Sequence, residues 1–295
     1  MKPSSPTVPF LVACLGIAIF CAMDALMKGL GLALGAYSAL LWRTAVSVPV
    51  TGGLWATARP AWPEPRLLRL HVGRGAIAAA MALLWFHAIT LIPLAEAIAI
   101  SFFAPLLAAW LASLFLHEAL SARAVAGSCL GLIGVVVIVA GQLGGARGDR
   151  AVEGTAAVIA SAVLYAVNLV LQRHQAQQAG PQEIAFFQTA TVFLCLLPAA
   201  PFIARAPTAE QWPLIAAAAL FATVSLLLLS WAYARAEAQI LVVTEYTGFL
   251  WLALLGWWFF AETLTLATLL GAALIVGGCL LALRQRNRAP AEAML

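Results

Sequence analysis

Charge is what this 295-residue chain has least of: 9% of its residues are Asp, Glu, Lys or Arg, where soluble domains carry about 25%. No soluble core of that length could hide the 64% of residues that are hydrophobic, so the chain is expected to live in lipid. Cysteine is sparse and odd in number. Cys14, Cys21, Cys129, Cys195 and Cys279 all fall inside apolar runs, which excludes a disulfide framework and suits small core residues. The four histidines, His71, His87, His117 and His174, are too dispersed to suggest a metal site. His-Glu-x-x-His, Gly-x-Ser-x-Gly and the phosphate-binding loop are all missing. Catalysis by those routes and direct ATP coupling are thereby excluded, and no cofactor or nucleic-acid partner is expected.

What the chain does have is apolar runs near 20 residues, the length a helix needs to cross about 30 Å of hydrocarbon. They lack the alternation of barrel strands. Ten transmembrane helices are predicted, at 8–30, 36–56, 70–92, 94–116, 122–142, 151–171, 182–203, 211–234, 237–260 and 266–284. Gly31, Gly35, Pro93, Gly180-Pro181 and Pro207 punctuate them. The first run continues past Cys21 to Asp24 and Lys28 without an Ala-x-Ala-like site, and is read as an uncleaved helix rather than a signal peptide.

Residues 85–139 and 230–283 resemble one another at a displacement of 144 positions. The displacement pairs Glu118 with Glu262, Leu120 with Leu264, Gly127 with Gly271 and Gly134 with Gly278. Apolar matches come cheaply in such a chain, but Glu matches do not. Two halves follow: a first five-helix repeat at 1–143, a linker at 144–150, a second repeat at 151–284 and a tail at 285–295. With the amino terminus inside, eleven basic residues (Lys2, Arg59, Arg66, Arg69, Arg74, Arg123, Arg173, Arg235, Arg284, Arg286 and Arg288) face the cytoplasm and four (Lys28, Arg147, Arg150 and Arg205) face outward. Both termini are therefore placed in the cytoplasm, in a bacterial-type inner membrane. Five spans per half is an odd number, so the halves are inverted, with a shared cavity near the midplane that opens alternately to each side. That architecture points to transport.

Each copy runs from a helix of small and aromatic residues through Glu-x-Leu-Ser/Thr into a Gly-rich helix: Glu118-Ala-Leu-Ser121 before Gly127 and Gly134, and Glu262-Thr-Leu-Thr265 before Gly271 and Gly278. This pattern resembles the EamA domain, duplicated in ten-helix members of the drug/metabolite transporter superfamily, and the resemblance covers essentially the whole chain. It implies a secondary transporter of small metabolites. The size and many aromatics are similar to bacterial exporters of amino acids, aromatic ones included, with multidrug or nucleoside-type transport as the alternative. A channel and an intramembrane enzyme are rivals from other classes. A small-molecule substrate, the bilayer and a candidate coupling proton are the implied partners of a chain expected to act as a monomer.

Ionisable groups inside spans are expensive and are candidates for the pathway. Glu245, about 12 Å into its helix at 1.5 Å per residue, is the leading one, followed by Tyr246; its counterpart in the first half is Ser101, followed by Phe102. Trp85 and His87 in the third span, Tyr165 and Asn168 in the sixth, and Trp231 in the eighth could face a polar or aromatic ligand, though packing and interhelical hydrogen bonds explain each as well. Asp24, Lys28 and Arg43 form a gate or ion-pair set. Asp24 and Arg43 lie at matching depth and are expected to pair, while Lys28 snorkels outward. Glu118, Ser121, Glu262 and Thr265 are read as structural helix caps, and Glu96 as a helix-start residue.

Overall fold

A computed structural model describes residues 7–57, 62–104, 107, 122–143, 148–176, 178–233, 244 and 247–283, and among them every regular element is helical. The helices are α1 (Thr7–Leu34), α2 (Ala36–Thr57), α3 (Pro65–Leu91), α4 (Leu94–Ser101), α5 (Ala122–Leu143), α6 (Gly148–Ala176), α7 (Pro181–Leu196), a short α8 (Ala200–Ile203) after a 3-10 turn, α9 (Trp212–Tyr233), α10 (Thr247–Phe260) and α11 (Leu266–Leu283). Five of the described helices are long and apolar enough to cross a membrane, and Val125–Gly141, Thr247–Phe260 and Leu266–Gly278 are shorter apolar ones. Exposed Leu11, Leu15, Val136, Leu250 and Trp257 give the bundle an apolar outer face of the kind that suits hydrocarbon.

Helix ends differ from the hydropathy reading where polar turns continue a helix. α3 begins at Pro65, whose fixed φ suits a first turn and whose missing N–H is no loss there. α6 runs on to Ala176, and its Asn168 and Gln175 side chains make polar contacts with α3. Gly35, at φ +86°, makes the tight link from α1 to α2.

The broadest seam joins α5 and α11. A Cβ on Gly134 would stand 2.6 Å from the Gly271 carbonyl oxygen, and one on Gly271 equally close to that of Gly134. Gly278 lies against the Gly127 carbonyl, and Gly141 against Ala267. Numbers rise on α5 as they fall on α11, so the two helices run antiparallel. The Gly134–Gly271 contact also becomes the Gly127–Gly278 contact when each residue is shifted by 144. Other seams obey the same exchange: α1 packs along α9, and α3, the α9 counterpart, packs along α6, the α1 counterpart. Each is bridged by one serine, Ser225 to the Gly16 carbonyl (2.9 Å) and Ser161 to the Met81 carbonyl (3.0 Å).

Close backbone approach through small residues is how helices gain contact in lipid, where apolar burial gives no net drive. Gly278→Leu is accordingly expected to lower stability by about 1–3 kcal/mol, whereas Gly29→Ala and Gly53→Ala, which meet open space, shift it far less. Thermal melts of nanodisc-embedded variants check this; equal melting of all three would contradict the seam.

Candidate functional site

Three buried polar centres lie among the described residues. At the end where α1 stops and α4 begins, the Lys28 ammonium on α1 is 6% exposed and lies 2.5 Å from Glu262 Oε1. It also donates to the Ile92 carbonyl at 2.9 Å, at the break before Pro93. Glu262 Oε2 accepts from the Leu94 N–H at 2.8 Å, so its charge faces the amino terminus of α4. Ala261 (φ +52°) turns the chain out of α10 and aims that carboxylate inward, and Gly256 leaves the room it fills. Thr268 donates to Glu96 nearby (3.3 Å). Two expectations are corrected here. Lys28 does not snorkel outward, because an acid and a helix-break carbonyl await it inside. Glu262 serves α1 and α4 rather than its own following helix, whose amino terminus is capped by Thr265 Oγ1 accepting from Thr268 N–H at 3.1 Å.

One turn deeper on α1, Asp24 is 1% exposed and accepts from the Trp85 indole N–H at 3.1 Å. Arg43 of α2 lies close enough for its charge to act on Asp24, yet the two make no ion pair. Its guanidinium carbon stands 5.5 Å from the Phe86 ring centroid, and its Nε is buried without a hydrogen-bond partner. The expected direct Asp24–Arg43 pair is thus replaced by a carboxylate held by Trp85 and a guanidinium held over an aromatic face.

The third centre sits at the other end of α3. Arg74, 3% exposed, donates to Asn168 Oδ1 at 3.0 Å and to Gln175 Oε1. The Gln175 amide meets His71 Nδ1 at 2.5 Å, and His71 Nε2 meets Glu183 Oε1 at 2.9 Å. The chain ties α3 to α6 and α7. Arg74 is therefore a buried residue, not a loop cation. Removing Arg74 from the inner set and Lys28 from the outer one leaves ten basic residues against three, so the asymmetry survives. His71, Arg74, Gln175 and Glu183 were missed as a set because they sit at span ends, where polar residues read as loop; the i, i+3 spacing of His71 and Arg74 was the available signal.

The remaining candidates scatter. His87 contacts Glu153 at 2.8 Å and lines an open groove of about 570 Å³ with Tyr37, Ser38 and Arg205. Ser101 donates back to the Ile98 carbonyl of its own helix, Phe102 is packed in the core, and Trp231 is 37% exposed. Tyr165 is half-buried on α6, three residues before Asn168. Glu245, Tyr246, Glu118 and Ser121 lie outside the described residues. No cluster of three or more potential metal ligands occurs among the described residues.

The EamA-like transporter family matches residues 8–140 and 153–284. The chain belongs to that family. A pseudopaline exporter, CntI, of Pseudomonas aeruginosa strain UCBPP-PA14 is 29% identical over 274 residues, covering 92% of this chain and 94% of the relative. A riboflavin transporter of Brucella anthropi is 27% identical over 224 residues, covering 73% and 76%. A crystal structure at 22% identity superimposes with a TM-score of 0.66 over 97% of this chain and 100% of the other, a likeness of fold alone. The EamA-family chain is a multi-pass membrane transporter for metabolites, not an enzyme.

Removing one partner of a buried ion pair strands the other, at a cost of about 3–5 kcal/mol. Lys28→Met and Glu262→Gln are each expected to destabilise the transporter by that order, and the double variant by much less than their sum. A double-mutant cycle on thermal melts in nanodiscs decides it; additive losses would contradict a direct pair.

Proposed function

We propose that this transporter is a secondary carrier that moves small metabolites, amino acids foremost, out of the cell by alternating access between two inverted five-helix halves. The halves are 1–143 and 151–284, joined by 144–150, with both termini and the 285–295 tail in the cytoplasm of a bacterial-type inner membrane. The antiparallel α5–α11 seam, whose contacts exchange under the 144-residue shift, supports the inversion, and ten basic residues against three support the orientation. The exporter name of one relative supports the outward direction.

One observation carries the reading: the Asp24, Trp85 and Arg43 centre lies between two polar closures at opposite ends of the bundle. Along α3 the closures at Arg74 and Ile92 are 18 residues apart, about 27 Å at 1.5 Å per residue, most of the hydrocarbon thickness. Trp85 falls between them, about 16 Å from one and about 10 Å from the other on the same measure. A carrier needs that plan: a binding centre at depth and a closure on each side, of which only one opens at a time. The Lys28–Glu262 contact is the outer gate and the Arg74 network the inner one. Asp24 takes the substrate's amino group and Arg43 its acidic group, beside the Trp85 indole. Glu245 and Tyr246 complete the pocket from the second half. The carrier works as a monomer, because both halves are fused in one chain.

Counterflow in proteoliposomes with a panel of labelled amino acids, riboflavin and nucleosides tests this, with and without a pH gradient. At least one amino acid is expected to exchange well above empty vesicles. Asp24→Asn is expected to cut that exchange at least tenfold with melting unchanged, and Glu245→Gln to abolish or re-tune it with membrane expression intact. Exchange of no amino acid, or full exchange by both variants, would refute the assignment.

A further inference from the structure

The network at the Arg74 end contains a histidine whose protonation state is dictated by its neighbours. Arg74 has only donors, so the Gln175 atom facing it must be the carbonyl oxygen. That leaves the Gln175 NH2 group pointing at His71 Nδ1, 2.5 Å away. An amide nitrogen can only donate, so Nδ1 must accept and carries no proton. The ring's proton is then on Nε2, donated to Glu183 Oε1 at 2.9 Å. The His71 side chain is fully buried, its face stacked on Phe187 with centroids 4.8 Å apart. Glu183 is 16% exposed, so the far end of the chain reaches water.

We propose that His71 is a proton-binding site whose loading unlocks this end of the bundle. A proton arriving on Nδ1 turns that atom from acceptor into donor, facing the donor group of Gln175. The conflict has one local remedy: the Gln175 amide rotates and gives its oxygen to His71. Arg74 then loses that acceptor and keeps only Asn168 on α6. One proton therefore loosens the tie between α3 and the last turn of α6: a hydronium from the water that reaches Glu183 gives up its O–H bond as Nδ1–H forms, and the neutral imidazole becomes an imidazolium whose charge faces Glu183. Gln175 is the coupling element, since its single amide serves both partners and satisfies both only while the imidazole is neutral.

The charged groups around His71 support the assignment. α3 contributes Arg74, α7 contributes Glu183, and α6 contributes the half-buried Tyr165. Arg66, Arg69 and His174 are exposed. α2 brings aromatic Trp55 against Phe187 at this end, its one charged residue, Arg43, lying at the Phe86 centre. Asp24, Lys28 and Arg43 belong to the centres nearer the other end. Among the described residues Glu183 is thus the one acid in contact with the ring, and it holds Nε2–H rather than competing for Nδ1.

The carrier reading above gives this switch its use, but the site is tested without transport. In full-length protein in nanodiscs, with His87, His117 and His174 replaced by Gln, the His71 imidazole is followed by 15N NMR against pH. Labelling of an Ala78→Cys reporter by a maleimide is measured in the same series, with the five native cysteines changed to Ala. The ring is expected to be neutral with its proton on Nε2 at high pH, and acidification is expected to raise labelling about tenfold in step with Nδ1 protonation. Gln175→Glu supplies Nδ1–H with an acceptor while still receiving Arg74. It should raise the proton affinity of His71 at least tenfold and uncouple labelling from pH. A proton resident on Nδ1 at high pH, labelling indifferent to pH, or a Gln175→Glu titration equal to that of the parent would each overturn the inference. Counterflow that fails while titration and labelling behave as expected would refute the carrier reading alone.

Discussion

An isolated charge in hydrocarbon has no water to answer it, and that constraint organises the interior of this protein. Asp24, Lys28, Arg74 and Glu96 are all 6% exposed or less. Each is met by something specific: an indole N–H, an acid and a carbonyl, two amide oxygens, a threonine hydroxyl. Arg43 is the exception: its Nε is buried without a hydrogen-bond partner, and its guanidinium lies over the Phe86 ring. Polar groups here do not stabilise the bundle by being numerous. They select among arrangements, because a helix cannot slide without stranding one of them.

Helix packing supplies what the polar contacts cannot. The α5–α11 seam brings backbone to backbone at Gly134–Gly271 and Gly127–Gly278, a contact that is self-complementary in the manner of a two-fold interface. A seam related to itself by the repeat gives the halves a common axis without locking them at either end. The end closures are then free to differ. Asp24 corresponds under the 144-residue shift to Asn168, so a carboxylate that accepts from Trp85 in one half has as its counterpart an amide that accepts from Arg74 in the other.

Much of this was legible from residue types. Apolar runs located the helices, and the Glu118–Glu262 and Gly127–Gly271 matches disclosed the repeat, because rare residues in register carry information that leucines do not. Asp24, Lys28 and Arg43 stood out as charges within spans. Their partners did not follow, since the nearest match in depth, Asp24 with Arg43, lost to contacts 61 and 234 positions apart. Partner choice depends on how helices are rotated against one another, which a hydropathy profile does not contain. Arg74, His71 and Gln175 were hidden for a related reason: at the end of a span, a buried polar residue and a loop residue look alike.

The central claim is that the two ends of the bundle open in opposition around the Asp24 centre. Spin labels at exposed Leu32 and Leu264 report on the Lys28–Glu262 end, and labels at exposed Trp62 and Gln178 on the Arg74 end. Double electron–electron resonance distances for both pairs, measured in nanodiscs with and without a counterflow-competent amino acid, test it directly. The account predicts that one distance population lengthens as the other shortens. Distances that stay fixed at both ends, or that lengthen together, would contradict it.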